Sequence, residues 1–236
     1  MFDVLSTNRS FLYGDGFFET FTLLDGVCAR FHLHYERIRH SFQILQMDWN
    51  EDWDQAYFEK KLKTEASNFE TPLLKVRILF YRNSSGTYMP DANEANYYFK
   101  LEPYTAHSKS IIRAGIYPMA TKPCNFLSSI KSTSCLMFVM AAKYAKEKGW
   151  DEVIILNEYG RVCEALSSNI FIKKDHVYIT PPISEGCIDG VNRRAFIHEK
   201  PEGIIVERPI EVDELKEGHL FFSNAVRGMV DVELQS

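Results

Sequence analysis

Between positions 151 and 180 the chain runs through short apolar stretches, 151–157, 161–172 and 178–180, with a turn at Glu158-Tyr159-Gly160 between the first two. Stretches of this length, rich in Val, Ile and Phe and bounded by turn residues, read as strands. The middle one is broken. Glu164-Ala165-Leu166-Ser167-Ser168-Asn169 sets a carboxylate and three small polar residues between two apolar strands. That interruption is costly unless the polar groups meet a ligand or one another. Any fold open to this chain must therefore supply several strands and a purpose for Glu164.

Upstream the period alternates. Residues 11–24 read as a glycine-marked turn, with Gly14 and Gly16 free to take conformations a side chain forbids, followed by a strand closed at Asp25-Gly26. From about 30 to 47 the period is helical, with Leu33, Arg37, His40 or Ser41, and Ile44 on one stripe and Ile38, Phe42 and Leu45 beside it. Arg37 in that stripe is either a flanking charge or a buried anchor for an anion. A second helix, 52–67, carries Trp53, Tyr57, Phe58, Leu62 and Ala66 as its core residues. Strands follow at 72–82 and 95–104, joined by a polar loop with Tyr88 near its tip that is either solvated or leans over a site. Residues 105–110 read as a linker between an N-terminal domain, 1–104, and a C-terminal domain, 111–236.

Beyond the linker come a strand at 111–118 and an apolar run that leads into Lys131, which the pattern places at a strand-to-helix junction. The helix it enters, about 135–148, presents Met137, Met140, Ala141 and Tyr144 as its buried face and stops at Gly149. Further on, Gly190-Val191-Asn192-Arg193 marks a glycine followed by a helix start, whose free backbone donors suit an anion. A strand at 203–207, a short helix at 212–216, a strand at 219–223 and the polar turn Asn224-Ala225-Val226-Arg227-Gly228 complete the chain.

Composition narrows the partners. Among 236 residues the net charge is -5 with both signs interspersed, so no basic face is available to neutralise a nucleic acid or an anionic membrane. The five cysteines are scattered without a Cys-x-x-Cys pair, which points to reduced thiols rather than a zinc or redox centre; no metal site is expected. The N-terminal residues lack a basic region followed by an apolar run, and no apolar stretch reaches spanning length, so a soluble cytoplasmic protein is expected.

Three features ask for one explanation: an isolated lysine at a junction, a carboxylate embedded between strands, and a glycine-opened helix start with an arginine elsewhere. Each alone is as readily structural, Lys131 as a solvated charge included. Together they match what pyridoxal phosphate requires: an amine for its aldehyde, an anion for its ring nitrogen and donors for its phosphate.

These residues carry a resemblance. Tyr13-Gly14-Asp15-Gly16-Phe17-Phe18-Glu19-Thr20, His34-Tyr35-Glu36-Arg37-Ile38, Lys131, Glu164, Ser167-Ser168-Asn169-Ile170-Phe171, Thr180-Pro181-Pro182 and Gly190-Val191-x-Arg193 fall in the order and spacing of one family. The chain resembles the class IV aminotransferases, fold-type IV pyridoxal-phosphate enzymes that include branched-chain and D-amino-acid aminotransferases and 4-amino-4-deoxychorismate lyase. The resemblance implies a two-domain α/β (α+β) fold, with a smaller N-terminal α+β sandwich domain and a larger C-terminal α/β barrel-like domain. It implies Lys131 as the Schiff-base lysine and proton shuttle, and Glu164 as the partner of the pyridine nitrogen. Arg37 would grip the phosphate, helped by Val191, Asn192, Asn224 and Ala225, and Asn169 would join the cofactor-binding set. A homodimer acting on a small-molecule substrate is implied as well. Two departures stand out: Asn192 occupies a place where many relatives have threonine, and the chain starts close to its Gly-Asp-Gly, without a usual first hairpin.

For the reaction, Ser223-Asn224-Ala225 looks more like the lyase pattern than the Gly-Thr-Ala of branched-chain enzymes, and Phe18 replaces the tyrosine of D-amino-acid enzymes. The resemblance thus favours the lyase, with an aminotransferase using 2-oxoglutarate as the alternative and a cofactor-binding module without turnover as a third reading. Phe18, Arg82, Tyr88 and Arg227 are candidate substrate contacts, the arginines because a guanidinium fork pairs with a carboxylate. Arg82, Tyr88 and Arg227 are equally open to an ordinary structural role.

Overall fold

The computed structural model describes residues 8–106, 109–199 and 203–236. His107 and Ser108 of the expected linker, and the N-terminal residues 1–7, lie outside the described residues. The chain forms two compact units: the first runs to Thr105 and also takes Ile130–Cys135, and the second holds Ala106–Ser129 and Leu136–Ser236. Lys131 therefore clusters with the N-terminal unit, whereas the sequence reading put it in the C-terminal domain.

In the first unit, helix α1 (Arg9–Tyr13) leads to strand β1 (Gly16–Leu24), helices α2 (Phe31–Leu45) and α3 (Gln55–Ala66), and strands β2 (Leu73–Arg82) and β3 (Ala95–Pro103). The strands form an antiparallel sheet in the order β1-β2-β3. Its register sets Phe17 opposite Phe80 and Phe21 opposite Val76, so Phe17, Phe21, Leu23, Leu74, Val76, Ile78 and Phe80 share one face. All seven are buried, along with Phe31, Ile38 and Phe42 of α2 and Phe58 and Leu62 of α3. The rings interlock: Phe17 stacks on Phe80 at 5.0 Å, and Phe42 meets both edge-on at 5.5 Å. Aromatic pairs in such geometries add to the free energy of burial itself.

The helical stripe differs from expectation. His34, Arg37 and Ser41 are fully buried with Ile38 and Phe42, while Leu33, Ile44 and Leu45 are only half-buried. Polar residues displace aliphatic ones because β1 turns Glu19 inward beneath α2. Likewise Tyr57 is half-buried and sends its hydroxyl to that of Tyr97 at 2.5 Å. Helix α1 was not anticipated; Asn8 caps its start by accepting from the Phe11 amide, and Gly14 ends it at φ 69°, the left-handed region.

Nor does a strand precede Lys131. Residues 125–129 are a turn fixed by Asn125, whose side chain accepts from the Leu127 amide. Ile130–Cys135 then runs along the start of β1: the Phe18 amide donates to the Lys131 carbonyl (3.0 Å), the Thr133 amide to Gly16 (2.9 Å), and the Thr133 hydroxyl to Gly14 (2.9 Å). A Cβ on Gly16 would sit 2.5 Å from the Phe80 carbonyl oxygen, so close backbone approach explains that glycine.

The second unit contains β4 (Ile111–Ile116), α4 (Leu136–Lys148), β5 (Glu152–Leu156), β6 (Val162–Ala165), β7 (Asn169–Lys174), β8 (Val177–Thr180), α5 (Val191–Glu199), β9 (Ile204–Glu207), β10 (His219–Asn224) and β11 (Gly228–Leu234). The eight strands form one mixed sheet, ordered β6-β5-β4-β11-β10-β7-β8-β9. Strands β6 and β7 are five places apart in that order, yet only Leu166–Ser168 joins them. A flat sheet would separate them by about 24 Å, and a link of that length reaches about 14 Å at most. The sheet must curl, and it forms a half-barrel.

One face of the curl packs Ile112, Ala114, Ile154, Ile170, Ile172, Leu220 and Phe222 into an aliphatic core. On the other face, α5 lays Phe196 against Phe171 and Phe221, and α4 packs Ala141 and Ala145 with Val153 and Tyr117. Met140, expected inside, is exposed; the close approach of α4 uses its alanines instead.

Candidate active site

Alternation along β1 points Phe18 away from Glu19, so the two residues serve opposite faces of the three-stranded sheet. On the outer face the Lys131 ammonium lies 4.8 Å from the centroid of the Phe18 ring, and the Arg77 guanidinium lies over the same ring at 3.9 Å. Two cations on one aromatic ring are held by its quadrupole and leave their donors directed elsewhere. Arg77 was not singled out in the sequence, where it is one of several charges in an alternating strand.

On the inner face Glu19 is fully buried and takes both edges of a fork. Arg37 donates from Nε to Oε1 and from Nη2 to Oε2, each at 2.7 Å, and His34 Nδ1 lies 2.6 Å from Oε2. Burial raises the Glu19 pKa, but the Arg37 charge and the His34 and Arg37 hydrogen bonds outweigh it and bring it to about 2. The Nε–Nη2 edge of Arg37 is thus committed to Glu19. That pair braces β1 against α2.

Arg82 is also a structural residue. Its Nε donates to Asp15 (2.9 Å), Nη1 to the Gln46 carbonyl (3.2 Å) and Asn93 (2.5 Å), and Nη2 to the Leu45 carbonyl (2.6 Å). A fork so fully used has no face for a substrate carboxylate. Tyr88 is 92% exposed; its carbonyl accepts from Arg9 Nη2 at 3.2 Å, and its ring centroid lies 6.1 Å from that of Tyr13.

In the second unit Glu164 occupies β6, opposite Ile155. It is buried, and the embedded carboxylate does have partners: Oε1 accepts from Lys122 Nζ at 2.5 Å, and Oε2 from the Ile188 amide at 2.9 Å. Lys122 escaped the sequence reading because it stands before a proline in a stretch without periodicity. Nearby, burial and the Glu164 charge push the Cys163 thiol well above its ordinary range, and burial pushes Cys187 up to about 12. Neither is a thiolate at neutral pH, so neither is a nucleophile.

The start of α5 is the anion-receptive end of this unit. Gly190 lies so near Asn169 that an added Cβ would fall 1.7 Å from its Oδ1. Asn169 in turn donates to the Ile188 carbonyl at 2.9 Å, and Asn192 donates to the Asn224 carbonyl at 2.5 Å, tying the helix start to the end of β10. Ser223 pairs directly with Asn169 across β7 and β10 and so projects from the same face. Its hydroxyl is buried without a hydrogen-bond partner. A buried hydroxyl left over beside first-turn amide donors is what a bound oxyanion would complete.

Arg227 has structural partners, one of the two roles left open for it. Its Nη2 donates to Glu152 at 2.5 Å and to Ser168 at 3.2 Å, and Glu152 also accepts from the Ser167 hydroxyl at 2.5 Å. The polar run after Glu164 is therefore partly satisfied within the protein. Through Nη2 Arg227 ties the 224–228 turn to Glu152 and Ser168, while its Nε is buried without a hydrogen-bond partner.

The model of the amino-transferase class IV family matches residues 16–234, and the chain belongs to that family. The family is pyridoxal-phosphate dependent. Among curated relatives, the aminodeoxychorismate lyase of Bacillus subtilis is 29% identical over 213 residues, covering 85% of this chain and 69% of that one. The D-alanine aminotransferase of Staphylococcus epidermidis is 27% identical over 228 residues, covering 89% and 75%. Among solved structures, the branched-chain amino acid aminotransferase of Escherichia coli superposes with a TM-score of 0.86 at 18% identity, over 97% of this chain and 80% of that one.

Proposed function

We propose that this chain is a pyridoxal-phosphate-dependent lyase that releases pyruvate and 4-aminobenzoate from 4-amino-4-deoxychorismate. The orphaned Ser223 hydroxyl beside the α5 start carries the cofactor reading, because it is a built but incomplete oxyanion place in a chain that keeps Lys131 and Glu164. The Ser223-Asn224-Ala225 turn carries the lean to the lyase, and the Bacillus subtilis relative is consistent with it.

When bound, the cofactor supplies an electron sink that stabilises negative charge on the carbon bearing the substrate's amine. Lys131 Nζ would be the amine that holds its aldehyde, and once free would take a proton from that carbon. The same amine delivers a proton to the departing pyruvate unit, so no net acid or base is consumed. Glu164 would hold the ring nitrogen in its protonated form. The Val191 and Asn192 amides, the Ser223 hydroxyl and the Asn224–Ala225 turn hold the phosphate, and Asn169 keeps the helix start in place. Phe18 floors the Lys131 amine, and Arg77 on the same ring is the guanidinium suited to a substrate carboxylate.

A second reading, amino transfer from a small amino acid to 2-oxoglutarate, is favoured by the D-alanine and branched-chain aminotransferases among the matches. Incubation of the purified protein with 4-amino-4-deoxychorismate, without any keto acid, should give 4-aminobenzoate and pyruvate in equal amounts. Amino transfer that depends on a keto acid, with no 4-aminobenzoate, would replace the lyase with the second reading. We further propose a cytoplasmic homodimer. Leu136, Val139 and Met140 of α4, at 75%, 50% and 46% exposed, support the dimer as an apolar stripe in need of cover.

A further inference from the structure

Lys122 is a charged side chain with almost no access to water, and neither the fold nor the proposed reaction accounts for it. Its backbone is fixed on both sides, the amide donating to the Leu156 carbonyl at 2.9 Å and the carbonyl accepting from the Glu158 amide at 3.0 Å. Its ammonium donates to Glu164 Oε1 at 2.5 Å and to the Ser128 carbonyl at 2.9 Å, and lies 5.6 Å from the Phe138 ring centroid. Ser128 is itself locked, its hydroxyl donating to the Pro123 carbonyl at 2.6 Å. The lysine is therefore held from both ends, and it grips the one carboxylate that the sequence places at the head of the polar interruption.

From this geometry we infer that Lys122 is a positioning residue for Glu164, fixing the orientation of its carboxylate and moderating its charge toward the cofactor ring. The inference rests on the pyridoxal-phosphate reading proposed above. With Oε1 taken by the ammonium and Oε2 lined by the Ile188 amide, the carboxylate plane has one arrangement, which leaves the second lone pair of Oε2 as its outward acceptor. A buried lysine and glutamate are together neutral, so the pair is stable before any cofactor arrives. An unpaired carboxylate in the same place would be driven to rotate, take a proton or recruit water. The cost is electrostatic: a permanent cation behind the carboxylate opposes the accumulation of further positive charge on the ring side.

The test compares Lys122→Met, Lys122→Arg, Glu164→Gln and the Lys122→Met/Glu164→Gln pair as holoproteins and apoproteins. In the parent, the visible absorbance of bound pyridoxal phosphate is titrated against pH, and cofactor affinity is measured on the apoprotein by fluorescence quenching. Lys122→Met is expected to weaken cofactor binding about tenfold and to move the pH of the spectral change upward by about one unit, since a nearby cation has been removed. Lys122→Arg should restore both. Adding Lys122→Met to Glu164→Gln should have little further effect on either, because the lysine acts through the carboxylate.

A Lys122→Met protein that is merely less heat-stable, with parental affinity and parental pH dependence, would overturn the inference. Equal effects of Lys122→Met in the presence and absence of Glu164 would overturn it too. A parent that binds no pyridoxal phosphate overturns the cofactor reading and this inference with it, and the parent titration identifies that failure separately.

Discussion

Glu19 shows how a buried charge can stabilise the fold without taking part in chemistry. Its carboxyl is depressed from 4.5 to about 2, against burial, by Arg37 and His34. A depressed carboxylate contributes stability that is fully present above pH 4.5 and is lost as pH falls toward 2. The shift corresponds to about 3 kcal/mol as an upper bound. Urea denaturation of the parent should lose stability steeply across that window, while Glu19→Gln should be weaker by about 3–5 kcal/mol at neutral pH and flatter across the acid range. A Glu19→Gln protein with the parental acid profile would remove Glu19 as the cause. Residues of this kind were hard to see in the sequence. Lys131 and Glu164 stood out because each is a lone charge among apolar or small neighbours. Arg82 looked equally available, since its partners Asp15, Leu45, Gln46 and Asn93 are scattered along the chain and meet it only in the folded sheet. Lys122, which the structure ties to Glu164, had no local pattern to mark it at all.

Among the elements, the start of α5 is the most sharply constrained. An alanine at Gly190 would overlap Asn169 Oδ1. Gly190→Ala must therefore displace Asn169 from the Ile188 carbonyl, at a cost of about 1–3 kcal/mol, and should weaken pyridoxal phosphate binding at least tenfold in a spectral titration. Gly160→Ala is the contrast: nothing lies within 4 Å, its strain comes only from φ 76°, and it should cost about 1 kcal/mol while leaving affinity unchanged. Parental affinity in Gly190→Ala would remove this helix start from the anion reading. Most elements were legible because periodicity and turn residues are local. Helix α1 was not, since five residues are too few to show a period and its signals are a single cap at each end. The run before Lys131 misled for the opposite reason: Phe126 and Leu127 are apolar but exposed, 71% and 45%, within a turn. Apolarity alone does not separate a buried strand from an exposed turn.

At the scale of the whole molecule, that exposed apolar surface becomes a prediction about assembly. Replacing Leu136 and Val139 by aspartate should convert a dimeric parent to monomers by light scattering, with little effect on monomer stability because both side chains already face water. A parent that is monomeric at micromolar concentration would discard the proposed homodimer. The sequence reading set its boundary in the polar stretch near residue 105 and did not include the return of Ile130–Cys135 to the first unit. That return depends on backbone hydrogen bonds to Gly16 and from Phe18 and on the Thr133 hydroxyl donating to Gly14, which no hydrophobic period announces.

Strand β11 lies in the interior of the eight-stranded sheet, parallel to β4 on one side and antiparallel to β10 on the other, although it is the most C-terminal strand. A ribosome making this chain must therefore leave one edge of β4 open for more than a hundred codons before β11 exists. Until residues 228–234 emerge, two unpaired edges face the solvent, and a nascent chain stalled a few residues earlier should be sensitive to protease throughout its second unit.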